Sequence, residues 1–128
     1  MDTQRLAGAN WRRARLLFDG LAKAERDAVP ILETPDSNGF FRGRFRVEGG
    51  ADLPDELIDG RFTSNGSRPE IVFTRKHPGG TVTNYSGRVF EVAGETTVMI
   101  RGKFTRTTTS ADGTVTLASG DYETEKPT

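Results

Sequence analysis

The chain has 128 residues, with 18 Lys and Arg against 18 Asp and Glu, one His and no Cys. That length is one domain able to bury about two thirds of the surface its unfolded chain exposes, and the missing cysteine excludes disulfides, thiolate nucleophiles, iron-sulfur clusters and thiolate-held zinc. Zero net charge argues against a dedicated nucleic-acid binder, whose affinity rests on neutralising phosphates, and without an apolar run long enough for a signal peptide or a membrane span the expectation is a cytoplasmic protein with no nucleic-acid and no membrane partner.

Residues 3 to 28 read as an amphipathic α-helix. Trp11, Ala14, Leu17, Phe18, Leu21, Ala24 and Ala28 recur at three- and four-residue spacing, with Arg12, Arg13, Asp19, Lys23, Arg26 and Asp27 elsewhere around the axis. Asn10 suits the N-cap and Pro30 ends the pattern. Gly20 inside it costs about 1 kcal/mol against alanine, so the apolar stripe has to gain its stability by packing on the rest of the chain. Residues 1–30 are thus expected as a helix within the same domain, covering one end of it or sealing a homodimer, and residues 31–128 as the body.

From residue 39 the period changes to two. Turn signals follow at hairpin intervals, at Asn38-Gly39, Gly49-Gly50, Asn65-Gly66, Gly79-Gly80, Ala93-Gly94 and Asp112-Gly113. They bound strands at about 39–48, 56–64, 70–77, 80–92, 95–108 and 113–125 in an antiparallel meander, closed or nearly closed into a barrel. A glycine, a charge and a ring recur together at Gly43-Arg44-Phe45, Gly60-Arg61-Phe62, Gly102-Lys103-Phe104 and Gly120-Asp121-Tyr122, with an aliphatic form at Gly87-Arg88-Val89. Residues two apart share a face of a strand, so glycine and ring point to one side and the charge to the other. Phe41, Phe45, Val47, Ile58, Phe62, Ile71, Phe73, Tyr85, Val89, Val98, Ile100, Phe104 and Tyr122 are expected inside. Arg42, Arg44, Arg46, Asp59, Arg61, Arg88, Arg101, Lys103 and Asp121 are expected outside. An inward glycine lets a strand bend and leaves room for a neighbouring ring.

The stretch Thr81-Val82-Thr83-Asn84-Tyr85-Ser86-Gly87-Arg88-Val89, with the Gly-x-Phe strand after it and the closing Ala118-Ser119-Gly120-Asp121-Tyr122-Glu123-Thr124-Glu125-Lys126-Pro127-Thr128, resembles the avidin and streptavidin group of calycin barrels. The likeness spans about the last fifty residues. It implies a small calycin-like, lipocalin-like barrel, so that with the turn spacing above the expected fold is mainly β, six to eight strands preceded by one N-terminal α-helix that avidins lack. It places Thr81 and Thr83 as hydroxyl contacts to a ligand, Tyr85 and Phe104 as aromatic walls, and Asp121 nearest the family's carboxylate, one residue out of register. The only tryptophan, Trp11, belongs to the helical stretch, so the tryptophan walls of a biotin pocket are lacking, and the resemblance speaks for the barrel and not for biotin.

Polar residues on the inner face carry the functional reading: Arg75, Thr81, Thr83, Tyr85, Glu91, Arg106 and Thr116, with Arg75, Glu91 and Arg106 close enough to strand ends to reach solvent. Hydroxyls among rings line a pocket that orients an organic ligand, or bond one another in a packed core. The expected ligand-binding residues are Thr81, Thr83, Tyr85, Phe45, Phe62, Phe73, Phe104, Thr116 and Tyr122, around a small hydrophobic organic molecule, with no cofactor and no metal. A cofactor-free cyclase or isomerase similar to allene oxide cyclase and the spirotetronate cyclases is the alternative, with Tyr85, Tyr122 and Thr83 as catalytic candidates donating hydrogen bonds. A protein-interaction module with a filled core is a third reading. His77, in the Lys76-His77-Pro78-Gly79-Gly80 turn, is expected in solvent, and the acidic run from Glu48 to Glu56 is expected as a solvated connector.

Overall fold

Among the described residues the period-two pattern becomes strand along most of its length. In the computed structural model, which describes residues 3–63, 68–92 and 96–127, a 3-10 turn (Thr3–Leu6) precedes β1 (Arg12–Phe18), β2 (Glu25–Arg26), β3 (Val29–Leu32), β4 (Phe40–Arg46), β5 (Asp52–Thr63), β6 (Glu70–Lys76), β7 (Thr81–Glu91), β8 (Thr97–Thr109) and β9 (Val115–Pro127). All nine form one antiparallel sheet in the order β2-β1-β9-β8-β7-β6-β5-β4-β3. From β3 to β9 the order follows the chain, as hairpin-spaced turns require. Turns occur at Asn38-Gly39, Gly49-Gly50, Gly79-Gly80 and Asp112-Gly113, while the expected Asn65-Gly66 and Ala93-Gly94 turns lie outside the described residues.

The sheet curls into a barrel. β9 pairs with β1 from Arg12↔Glu125 to Phe18↔Gly120, and the chain just ahead of β1 meets β3 at the opposite edge. There Gly8 N donates to Leu32 O at 2.7 Å and Leu32 N to Gly8 O at 3.2 Å, while Asp27 N donates to Ala14 O at 2.9 Å. Arg46 Nη2 adds a bond to Ala9 O at 2.7 Å.

The N-terminal α-helix expected over residues 3–28 is replaced by strands, which is why the sheet has nine where six to eight were expected. The helical spacing has a physical source. The register with β9 shifts between Arg12 and Arg15, and Arg13 takes a φ of 52°, a bulge that inserts one residue into the period of two. Trp11, Ala14, Leu16 and Phe18 then turn inward at spacings of three, two and two, which imitates part of a helical stripe. Gly20, costly inside a helix, sits in the β1–β2 turn with a φ of 81°. Leu21, expected on the helix's apolar face, is 55% exposed.

The interior has the expected composition. Phe41, Phe45, Ile58, Phe62, Ile71, Phe73, Tyr85, Val89, Val98, Ile100, Phe104 and Tyr122 are all buried, joined by Trp11, Leu6, Ala14, Leu16, Val29 and Leu32 from the reassigned N-terminal region. Val47 is the exception: it lies past the end of β4 and is 48% exposed. The Gly-x-aromatic element works as the alternation requires. A Cβ on Gly60 would lie 2.4 Å from Phe41 Cζ and 2.6 Å from Phe73 Cβ, and one on Gly102 would lie 1.9 Å from Ser86 O. Outside, the intervening charges pair across strands: Arg42 with Asp59, Arg44 with Asp52, Arg88 with Glu70, Arg101 with Glu123, and Lys103 with Asp121. Asp121 therefore faces out, and Gly120 takes the inward position beside it.

Candidate functional site

The turns after β1, β4, β6 and β8 gather at one end of the barrel, here called the mouth. Four strands deliver polar side chains to its inner face by parity alone. On β6, Arg75 follows Ile71 and Phe73; on β5, Glu56 precedes Ile58; on β7, Thr81 and Thr83 precede Tyr85; on β8, Arg106 follows Phe104. Asp27, between β2 and β3, supplies a second carboxylate.

These groups form one continuous network. Arg75 Nη1 donates to Asp27 Oδ1 at 2.8 Å and to Tyr85 Oη at 3.2 Å, and its Nε and Nη2 donate to Glu56 Oε1 at 3.2 and 2.9 Å. Tyr85 Oη donates to Asp27 Oδ2 at 3.1 Å. The guanidinium also lies over the Phe45 ring, 4.0 Å from its centroid. His77, expected in solvent, turns back over the mouth: Nδ1 is 2.8 Å from Glu56 Oε1, and Nε2 is 2.8 Å from Thr83 Oγ1. A carboxylate only accepts, so Nδ1 carries the proton toward Glu56, and Nε2 accepts from the Thr83 hydroxyl. Thr83 Oγ1 in turn accepts from Arg106 Nε at 3.0 Å. Above that pair, Thr81 and Thr108 hydroxyls meet at 3.2 Å.

The electrostatics follow the geometry. Burial works against the charge of Arg75, but Asp27 and Tyr85 outweigh it and raise its pKa above the ordinary arginine value. Burial and the nearby Asp27 carboxylate push the Tyr85 hydroxyl up, so it stays protonated. His77 is lowered, first by burial and then by the Arg75 cation, with Arg106 adding and Glu56 and Asp27 opposing. A folded-state pKa below the unfolded value near 6.5 favours stability above that pH and loses it as protons bind below it. Wild-type protein is therefore expected to lose more stability between about pH 7 and pH 5 than His77→Gln, measured by urea denaturation at both. Equal losses would mean that His77 is solvated.

The expected binding residues divide. Thr81, Thr83 and Tyr85 stand in the network. Phe45, Phe73, Phe104 and Tyr122 form the ring layer around it, with Phe73 and Tyr85 stacked at 4.5 Å, Tyr85 and Tyr122 tilted to each other at 4.6 Å, and Phe18 edge-on to Phe104 at 5.1 Å between centroids. Phe62 packs on Phe41 at 4.8 Å toward the other end. Thr116 is exposed on the projecting β8–β9 hairpin, opposite Thr108. Glu91 reaches solvent as the strand-end reading allows and pairs with Arg5 at 3.1 Å, whereas Arg75 is only 5% exposed. Asp27, Glu56 and His77 escaped the sequence reading, although Glu56 and His77 share parity with the inner residues of their strands.

The ring layer fills the space it bounds. Thr83 is 0% exposed, Tyr85 2% and Tyr122 3%, and a cavity able to hold a ligand would leave its lining accessible. The Tyr122 hydroxyl has no hydrogen-bond partner among the described residues. An open groove of about 990 Å³ lies instead on the outer face of the sheet, between Phe40, Arg61, Val72, Asn84 and Lys103. Among the described residues no cluster of His, Asp and Glu could hold a metal ion, and the acidic run binds within the protein, with Glu48 accepting from Arg13 N and Asp52 paired to Arg44.

No family model and no curated protein matches the chain. Among solved structures it is similar to the crystal structure of rhizavidin, with a TM-score of 0.57 at 12% identity, over 98% of this chain and 88% of that one. The nine-stranded curled sheet and this likeness together give the chain an avidin-like barrel fold.

Proposed function

We propose that the protein is a small-molecule-binding barrel that receives an organic ligand at its mouth. The observation that carries this reading is the row of inward hydroxyl and guanidinium groups, Thr81, Thr108, Thr83 and Arg106, where a core serving only stability would place aliphatic side chains. The avidin-like fold supports it. The ligand rests on Thr81, Thr108 and Arg106, with Thr83 buried beneath them holding Arg106, its apolar part toward Phe18 and the ring layer below as a rigid floor. Tyr85 serves in that floor, since its hydroxyl is already engaged by Asp27 and Arg75.

A protein-interaction module is favoured by one observation, the inaccessible interior, and would use the outer groove. Amide spectra of isotope-labelled protein titrated with a library of small organic fragments separate the two. Shifts clustered on Thr81, Thr83, Arg106, Thr108 and Ala118 are expected. Shifts confined to Phe40, Val72 and Lys103, or none at the mouth, would overturn the binding reading.

A further inference from the structure

Several charges of this barrel are matched with an opposite one on a neighbouring strand. Five outward cations face Asp or Glu on an adjacent strand, and inside the mouth Arg75 has both Asp27 and Glu56. Arg106, on the inner face, has no such counterion among the described residues. Its register partners are Thr83 on β7 and Ala118 on β9, and it forms no ion pair among the described residues. Its Nε is held by Thr83 Oγ1 at 3.0 Å, and the guanidinium lies 5.8 Å from the Phe18 ring centroid. Both Nη groups are left without a partner among the described residues. The side chain is half-buried, so its hydration is incomplete and a matching anion gains more there than at the surface. Thr81 and Thr108 share one hydrogen bond, which leaves one hydroxyl proton of the pair free to donate to the same anion, and the Phe18 ring offers an apolar surface beside it.

Building on the proposed binding at the mouth, we infer that the ligand carries a carboxylate, paired with the free Nη groups of Arg106. Two parallel N–H donors match the two oxygens of a carboxylate, a geometry that lysine cannot reproduce. The anion occupies the place that an Asp or Glu takes opposite the other paired arginines, and the aromatic or aliphatic body of the ligand lies along Phe18. No covalent step is involved.

Benzoate, its neutral isostere benzamide and inorganic phosphate, each titrated into wild-type protein, Arg106→Gln and Arg106→Lys and followed by amide shifts at Thr81, Thr83 and Thr108, test this. Benzoate is expected to bind wild type at least tenfold more tightly than benzamide. That preference should vanish in Arg106→Gln and fall severalfold in Arg106→Lys, with phosphate competing only weakly because it lacks the apolar body. Equal affinity for benzoate and benzamide, or a preference that survives Arg106→Gln, would overturn the carboxylate and leave binding at the mouth standing. Phosphate as tight as benzoate would also overturn it, pointing to a general anion site. Silence of the mouth amides toward all three probes and toward the fragment library would overturn both inferences together. Arg106→Gln should fold, since it loses one hydrogen bond to Thr83 and the contact with the Phe18 ring at the rim, and Arg106→Lys gives an independent reading if it does not.

Discussion

Arg75→Met is expected to lower the free energy of unfolding by about 3–5 kcal/mol at pH 7, the usual cost of removing one partner from a buried ionic group. Arg75 is 5% exposed, and the Asp27 and Glu56 side chains that it holds are 7% and 13% exposed. The loss arises from what remains. Two carboxylates stay out of water without a counterion, and Tyr85 loses one of its two polar partners. The triple variant Arg75→Met, Asp27→Asn, Glu56→Gln is therefore expected to recover most of the loss, because amides are cheaper to bury than unpaired carboxylates. The pH dependence should change as well. In Arg75→Met the penalty comes from buried, unpaired negative charge, so it is present at neutral pH and shrinks in acid. Urea denaturation of the single and triple variants at about pH 7 and pH 5 measures both effects. A loss below about 1 kcal/mol would show that water already screens the network.

The same network marks how far the sequence could be read. From residue 39 onward, alternation and glycine spacing foretell the strands, the four turns among the described residues and, Val47 apart, the inner face, because a strand's period of two converts position into orientation without further information. Thr81, Thr83 and Tyr85 were recognisable on that basis. Glu56 and His77 obey the same parity, yet Glu56 ends an acidic run that reads as a solvated connector and His77 lies beside a turn signal, and both patterns conceal a side chain that turns in at a barrel end. Asp27 could not be found from sequence at all. Its place depends on the path of residues 12–32, where a bulge near Arg13 spaces Trp11, Ala14 and Phe18 as a helix would. One inserted residue sufficed to convert the signature of a strand into that of another element.

Trp11→Ala tests that reassigned region most directly and is expected to cost about 3–5 kcal/mol, the range for removing a large aromatic side chain from a packed core. A tryptophan on a helix that merely capped the barrel would cost less, because part of its ring would stay in water. Here Trp11 is 1% exposed and belongs to the same cluster as Phe45 and Phe104. Its Nε1 donates to Leu6 O at 3.0 Å, which ties the 3-10 turn to β1. Trp11→Phe should cost less, since it keeps much of the ring volume and loses mainly this bond. Trp11 is the only tryptophan of the chain, so native fluorescence reports on this site alone. Emission shifted to the blue of free tryptophan, moving red in one step with urea, is expected for wild type, and circular dichroism would follow the Ala variant. Emission at the wavelength of water-exposed indole, or a loss under about 1 kcal/mol on Trp11→Ala, would mean that residues 3–18 do not complete the barrel wall. The seam at Gly8 and Leu32, and the position of Asp27 beside Arg75, would then fall with them.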